Sequence, residues 1–294
     1  MKYLSLFLFL FLLSCGNNEK LELNPEINIP YSYELSSDAV RTVGEQEESV
    51  QNVLKFNIEF SEDSAQRFIS AVTFTEMSML TEGEEEMFGG FGDLLKDSLL
   101  KNPIKYYVNK QGGIKYPYDN SVSYMEKVNA LSLIEDEREY ESRMVALMTD
   151  EIRNGLFTEW IDYLPSKPTS ASSWKTIHHM SFMNILKKEQ EYQWKVISSD
   201  DQWVDIQGSS TIETLEGEVE IGMGVNLFIE FKGEITSNYD LKLEKATGLI
   251  QEGKLTVSTD GTFTRTAKGT PMADQMEPEV ESLKGNATTT IKRL

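Results

Sequence analysis

Long stretches of this chain alternate apolar and polar residues with a period of two. In Val53–Phe60, the residues Leu54, Phe56, Ile58 and Phe60 share one side and Lys55, Asn57 and Glu59 the other. That is the pattern of an antiparallel strand with one wet face. Val219, Ile221, Met223, Val225, Leu227, Ile229 and Phe231 alternate with Glu220, Gly222, Gly224, Asn226, Phe228 and Glu230. This predicts one strand of about thirteen residues, more than twice the usual length. So long a strand must twist and curl, which Gly222 and Gly224 permit. Shorter strands are predicted at Ile104-Tyr106-Val108, Tyr192-Trp194-Val196, Tyr239-Leu241-Leu243 and Leu255-Val257. Asp260-Gly261 ahead of Phe263 predicts a hairpin turn, and Gly208-Ser209-Ser210 reads as another turn. Between Phe68 and Leu80, Phe68, Val72 and Phe74 lie on one side and Ile69, Ala71, Met77 and Met79 on the other. That predicts a strand covered on both faces.

Between about residues 119 and 163 the period changes to 3.6. Val122, Met125 and Val128 form a short stripe, and Tyr140, Met144, Leu147, Met148, Ile152, Leu156 and Trp160 a longer one. Asp119 or Ser121 would cap the first helix. Pro165 and Pro168 end the helical block, and strands resume near Trp174. The expected fold is mainly β (α+β), a curved antiparallel sheet or half-barrel in two strand blocks around a central helical segment. Ile104–Ile114 and Tyr239–Leu249 also match: an alternating strand, then Lys110 or Lys245, then a turn glycine at Gly113 or Gly248. They suggest an internal duplication.

The first residues break the pattern. Met1-Lys2 precedes the apolar run Tyr3–Leu13 and then Ser14-Cys15-Gly16, the layout of a secretory signal. At ~1.5 Å per residue the run spans about half of a ~30 Å hydrocarbon core. Leu12-Leu13-Ser14-Cys15 resembles the bacterial lipobox, which implies lipidation of Cys15 and a lipoprotein anchored in the cell envelope. Gly16 after it resembles lipoproteins sorted to the outer membrane. The expected organisation is a signal peptide at 1–14, a lipidated N-terminus and tether at 15–27, and one β-rich domain at 28–294.

The lipobox, the Gly113 turn, Leu164-Pro165-Ser166-Lys167-Pro168, Ser173-Trp174 and Lys245-Ala246-Thr247-Gly248 together resemble a family of uncharacterised bacterial lipoproteins. The resemblance covers most of the mature chain, with Ser173 standing where the family usually has glycine. It implies two strand blocks around a helical block and an envelope location, and it implies no activity.

Composition narrows the partners. With 48 acidic and 28 basic residues the formal charge is −20, which repels nucleic acid and anionic headgroups. Contact with a membrane is therefore expected through lipid on Cys15, the only cysteine. A thiolate metal site and a cysteine nucleophile are excluded with it. His178 and His179 are the only histidines, and neighbours on a strand point to opposite faces, so they cannot share a metal. The clusters Glu45-Glu47-Glu48, Glu82-Glu84-Glu85-Glu86 and Glu135-Asp136-Glu137-Glu139 lack the spacing of a calcium loop. No serine elbow or phosphate loop is present, and Gly89-Gly90-Phe91-Gly92 lacks the following Lys-Ser/Thr. The expectation is a non-enzymatic protein with no catalytic residues, metal or cofactor.

One segment suggests binding. Met87–Leu95 sets Phe88, Phe91, Leu94 and Leu95 on a glycine-rich backbone, which reads either as an insertion folding these side chains onto the core, with a short helix from near Asp93, or as a lid over an apolar cleft. These four residues are the candidate ligand-binding set, for a hydrophobic small molecule or lipid. The alternative function is an interaction module that docks to another envelope protein through strand edges.

Overall fold

The computed structural model describes residues 22–64, 67–81, 100, 103–110, 114–115, 134, 136, 138–147, 172–182, 186–222, 225–270 and 275–294. They form eleven strands: β1 (Pro30–Val43), β2 (Gln46–Ser64), β3 (Arg67–Thr81), β4 (Ile104–Asn109), β5 (Ile114–Lys115), β6 (Ser173–Phe182), β7 (Leu186–Ser199), β8 (Trp203–Gly222), β9 (Val225–Glu244), β10 (Ile250–Lys268) and β11 (Glu279–Arg293). All belong to one antiparallel sheet in the order β5-β4-β3-β2-β1-β11-β10-β9-β8-β7-β6. Each block is a meander, and the blocks join where the first strand pairs with the last, Tyr33 opposite Arg293 and Val43 opposite Leu283. The chain between β5 and β6 therefore connects opposite edges of the sheet.

Alternation along the strands sorts the side chains by face. Tyr33, Leu35, Leu54, Phe56, Ile58, Val72, Phe74, Val108, Trp194, Ile206, Tyr239, Leu241, Leu243, Leu255 and Ile291 are all buried and all lie on one face by register. The other face carries Glu34, Lys55, Asp240, Lys254, Asp260 and Lys284. Aromatic rings fill the inner face: Tyr33 stacks on Phe56 at 5.7 Å, and Trp174 stacks on Trp194 at 6.3 Å.

The sheet curls around its core at one end. Leu23 N–H donates to the carbonyl of Lys110 at 2.7 Å, and Asn24 N–H to that of Thr247 at 2.8 Å. Lys110 follows β4 and Thr247 lies between β9 and β10, five places away from β4 to β10 in the sheet order. A flat sheet would hold those places ~24 Å apart, yet two consecutive amides reach both. Leu23 itself is buried in the core. Residues 22–27, expected to belong to the tether, thus close this end of the sheet. Gly248 allows the crossing: it sits at φ +70°, and a Cβ there would lie 2.4 Å from the Glu22 carbonyl oxygen.

Several sequence expectations need correction. The run Val219–Phe231 is two strands, because β8 ends at Gly222 and β9 begins at Val225, with Val219 opposite Leu227. Asp260-Gly261 is the middle of β10, with Gly261 opposite Gly233. A Cβ at Gly261 would meet the Phe231 ring at 2.7 Å, so close packing explains this glycine. Gly208-Ser209-Ser210 is the interior of β8, and Trp194 lies over Gly208. In β3, Lys55 pairs with Glu76 but Phe56 with Phe74. The extra residue shifts the phase, so Met77 joins Phe68, Val72 and Phe74 on the inner face, half-buried Ile69 and Ala71 stay outside, and the Met79 side chain is not among the described ones. The strands containing Val53–Phe60, Ile104–Val108, Tyr192–Val196 and Tyr239–Leu243 stand as expected.

Of the block expected to be helical, residues 138–147 form a helix. Asp136 caps it: its Oδ1 accepts from the N–H of Glu139 at 2.8 Å and its carbonyl from Tyr140 at 2.9 Å, leaving fewer amides of the first turn unpaired. Val145 and Leu147 are buried, whereas Tyr140 is 38% exposed and so leaves the expected stripe. The proposed caps Asp119 and Ser121, the stripe from Met148 onward and the Gly113 turn lie outside the described residues.

Candidate functional site

Among the described residues, the inner face holds two apolar clusters. The larger runs from Val108 and Phe68 to Trp174 around the closed end, and most of its members are under 8% exposed. The second lies toward the other end, with Ile212, Leu215 and Phe231 at its centre and Ile229, Ile235, Phe263 and Leu283 only partly buried. Both belong to one face by register, since Phe263 opposes Phe231 and Leu255 opposes Tyr239. The apolar surface is thus tightly filled at one end and half open at the other.

A polar belt crosses the face between them. One row runs across the strands as Asn52, Ser37, Thr289, Leu255, Tyr239, Gly208, Trp194 and Trp174. The next, one pleat further, is Val50, Ala39, Ala287, Val257, Ser237 and Ser210. Ser37 and Thr289 share a 3.0 Å hydrogen bond, and Trp194 Nε1–H donates to Thr176 Oγ1 at 2.8 Å. Asn52 Oδ1, Trp174 Nε1 and Ser210 Oγ are buried without a hydrogen-bond partner. A fourth such atom, Ser70 Oγ, also faces inward, on β3 opposite Phe60. An unmet buried polar group costs about 1–3 kcal/mol. No single interior sequence motif announces this belt. It emerges only once eight strands are set in register.

At the closed end Arg293 binds Glu244 at 2.9 Å, and Thr247 Oγ1 donates to the same carboxylate at 2.8 Å. The Arg293 hydrogen bond holds the Glu244 carboxyl below the usual glutamate range against the opposing effect of burial. Tyr33 donates its hydroxyl to the Ile250 carbonyl at 3.1 Å, and burial pushes its ionisation well above the ordinary tyrosine value. These groups fasten β11, through Arg293, and β1, through Tyr33, to the β9–β10 connection.

The outer face carries a polar trough of about 690 Å³ across β6–β9. Its walls are the cross-strand rows Ser173, Lys195, Gln207, Asp240 and Lys175, Gln193, Ser209, Asn238. Gln207 donates to Asp240 at 2.6 Å and Lys175 pairs with Glu191 at 2.7 Å.

Cys15 and the candidate binding residues Phe88, Phe91, Leu94 and Leu95 lie outside the described residues. His178 and His179 are consecutive residues of β6, opposite Gln190 and Glu189. Among the described residues no group of three or more metal-ligating side chains comes together. No helix among them is long and apolar enough to cross a membrane. The charged outer face is the reverse of a membrane-spanning barrel, which turns an apolar band outward.

No protein-family profile matches the chain, and no curated protein does either. Among solved structures, the chain is similar to lipovitellin, in a structure devoted to its lipid–protein interactions. That match has 9% identity and a TM-score of 0.49, and covers 92% of this chain and 25% of that one. The chain thus spans about a quarter of the lipovitellin chain. An outer-membrane channel from Pseudomonas putida matches at 6% identity and a TM-score of 0.21, over 92% of this chain and 97% of the channel. A mutant of Rh. blastica porin matches at 6% identity and 0.22, over 90% and 100%.

Proposed function

We propose that this protein is a non-catalytic, lipid-anchored component of a bacterial cell envelope that binds a hydrophobic molecule on the inner face of its sheet. The observation that carries the reading is the half-open second cluster. Ile229, Ile235, Phe263 and Leu283 continue the core face beyond its filled end, yet stay partly exposed. Contiguous exposed apolar surface marks a place where something binds. The lipobox residue Cys15 supplies the anchor in this reading, with the outer membrane as the destination. Phe88, Phe91, Leu94 and Leu95 supply further apolar contacts to the ligand. The helical block at 119–163 lies between the two strand blocks, and the segments Ile104–Ile114 and Tyr239–Leu249 descend from one duplicated hairpin unit.

Native mass spectrometry of protein purified from its envelope tests the binding, with a co-purified lipid mass expected. Phe263→Asp should abolish that mass and weaken binding of a hydrophobic fluorescent probe at least tenfold. Protein that carries no lipid and does not bind the probe would overturn the reading. Cys15→Ser tests the anchor, since the variant should leave the membrane fraction for a soluble one. A variant that resists a carbonate wash would rule out anchoring through Cys15.

A second reading is docking to another envelope protein. Its support is the edge strand β6, which pairs only with β7 among the described residues and holds Ile177 at 62% exposure. An added strand from a partner would cover both. A partner retained at fixed stoichiometry by wild type and lost by Ile177→Lys would favour it over ligand binding.

A further inference from the structure

We infer that the inner face takes an amphiphile whose hydrogen-bonding linkage sits on the polar belt and whose chain runs along the second cluster. The inference rests on the hydrophobic-ligand reading and names the class of ligand. A surface meant for plain hydrocarbon needs no polar atoms, and each one buried without a partner is costly. Among the described residues, the four buried side-chain atoms without a partner all face inward: Asn52 Oδ1, Ser70 Oγ, Trp174 Nε1 and Ser210 Oγ. Ser210 is 5% exposed and Trp174 7%, so bulk water does not satisfy them. Three of the four lie in two adjacent rows of the sheet, with Ser210 on β8 two strands from Trp174 on β6 and Asn52 on β2 five strands from Ser210.

The chemistry of that band selects the occupant. Trp174 Nε1–H can only donate, Asn52 Oδ1 can only accept, and the Ser210 hydroxyl does both. An ester or hydroxyl linkage supplies the matching acceptor and donor, whereas an alkane supplies neither. Beside Ser210 in its row, Ser237, Ala287 and Ala39 are small, so a linkage can approach the backbone there. The larger cluster is tightly filled, which leaves the chain one apolar direction. Ser237 and Phe231 lie six residues apart on β9, a run of ~20 Å. Ile235, Phe263, Leu283 and Ile229 flank it. A long acyl chain extends over such a distance.

The test compares monopalmitoylglycerol with hexadecane, which have equal chain length, on purified and delipidated protein. Wild type should bind the glyceride at least tenfold more tightly. Ser210→Ala together with Asn52→Ala should reduce that preference to about threefold or less by weakening the glyceride alone. The variant's own melting temperature should hold or rise, because removing an unpaired buried hydroxyl is nearly neutral or stabilising. That combination separates a ligand role from a structural one. If the double variant fails to fold, Ser210→Ala alone carries the same expectation at smaller size. Equal affinity of wild type for both probes would overturn the belt assignment and leave hydrophobe binding standing. An unchanged preference in the variants would overturn it as well. Failure to bind either probe would overturn both readings.

Discussion

The carbonyls of Lys110 and Thr247 belong to distant places in the sheet and accept hydrogen bonds from consecutive amides, those of Leu23 and Asn24. Two adjacent amides reach across only about 9 Å, hydrogen bonds included. The eleven-stranded sheet must therefore bend back on itself there, and Leu23 seals the bend.

Leu23→Ala should consequently destabilise the whole sheet. Truncating a buried leucine costs about 2–5 kcal/mol through lost transfer energy and a residual cavity. The urea midpoint should fall by that equivalent with little change in slope. A midpoint unchanged from wild type would mean that the sheet closes without this residue.

The Arg293–Glu244 bond predicts an acid limb of stability. The folded-state pKa of Glu244 lies below its ordinary value of 4.5, mainly because Arg293 donates to it. Its contribution is therefore present above about pH 4.5 and disappears as pH falls through the lowered folded value. Glu244→Gln should be less stable than wild type near neutrality, and the gap should close in acid. Tyr33 gives the opposite limb. Its ionisation is raised by burial, so stability should drop as pH rises beyond about 10, and Tyr33→Phe should flatten that drop. Denaturation midpoints measured across pH would show both limbs. Parallel curves for wild type and variants would refute the assignments.

Gly208 should resist substitution although it lies in regular strand. A Cβ there would stand 2.4 Å from the Trp194 ring, which is held by Thr176 and stacked between Trp174 and Tyr192. The ring has nowhere to retreat, so Gly208→Ala should cost about 1–3 kcal/mol of overpacking. At Gly285 the nearest atom to an added Cβ is 3.2 Å away, and Gly285→Ala should cost less. Equal losses of melting temperature would show that backbone freedom, not ring packing, sets the cost.

Much of the sheet was legible because most of its inner face is apolar, so period two identifies both the strand and its buried side. Leu54, Phe56 and Ile58, or Tyr239, Leu241 and Leu243, announce themselves in this way. The turns were less legible, because the chain uses glycine for packing as well as for turning. Gly208 and Gly261 lie beneath Trp194 and Phe231, yet locally they read as Gly-Ser-Ser and Asp-Gly turn signals. The bulge opposite Lys55 and Phe56 shifts the phase of β3, and only the partner strand reveals it. The belt was invisible for a related reason. Asn52, Ser210 and Trp174 are far apart in the chain, and register alone aligns them.

The reading of Val219–Phe231 as one strand failed for a reason that can be tested directly. Gly222 pairs with Val225 across a two-residue connection. Side chains alternate with period two along each strand, and the bulge between Glu220 and Gly222 adds the one residue that keeps that alternation in phase through the turn. One long strand and a tight hairpin therefore share the same pattern, but they differ in distance. Within a single strand, residues 219 and 227 would be ~27 Å apart. In the hairpin they face each other, with β-carbons about 4.5–5.5 Å apart. Val219→Cys with Leu227→Cys, placed in a Cys15→Ser background, should form an intramolecular disulfide under mild oxidation, since its geometry needs α-carbons about 4.4–6.8 Å apart. The cross-linked protein should run faster on a non-reducing gel than its reduced form. Val219→Cys with Phe231→Cys, offset along the ladder by four residues, should remain as two thiols. Failure of the first pair to close, with both cysteines accessible to alkylation, would restore the single-strand reading.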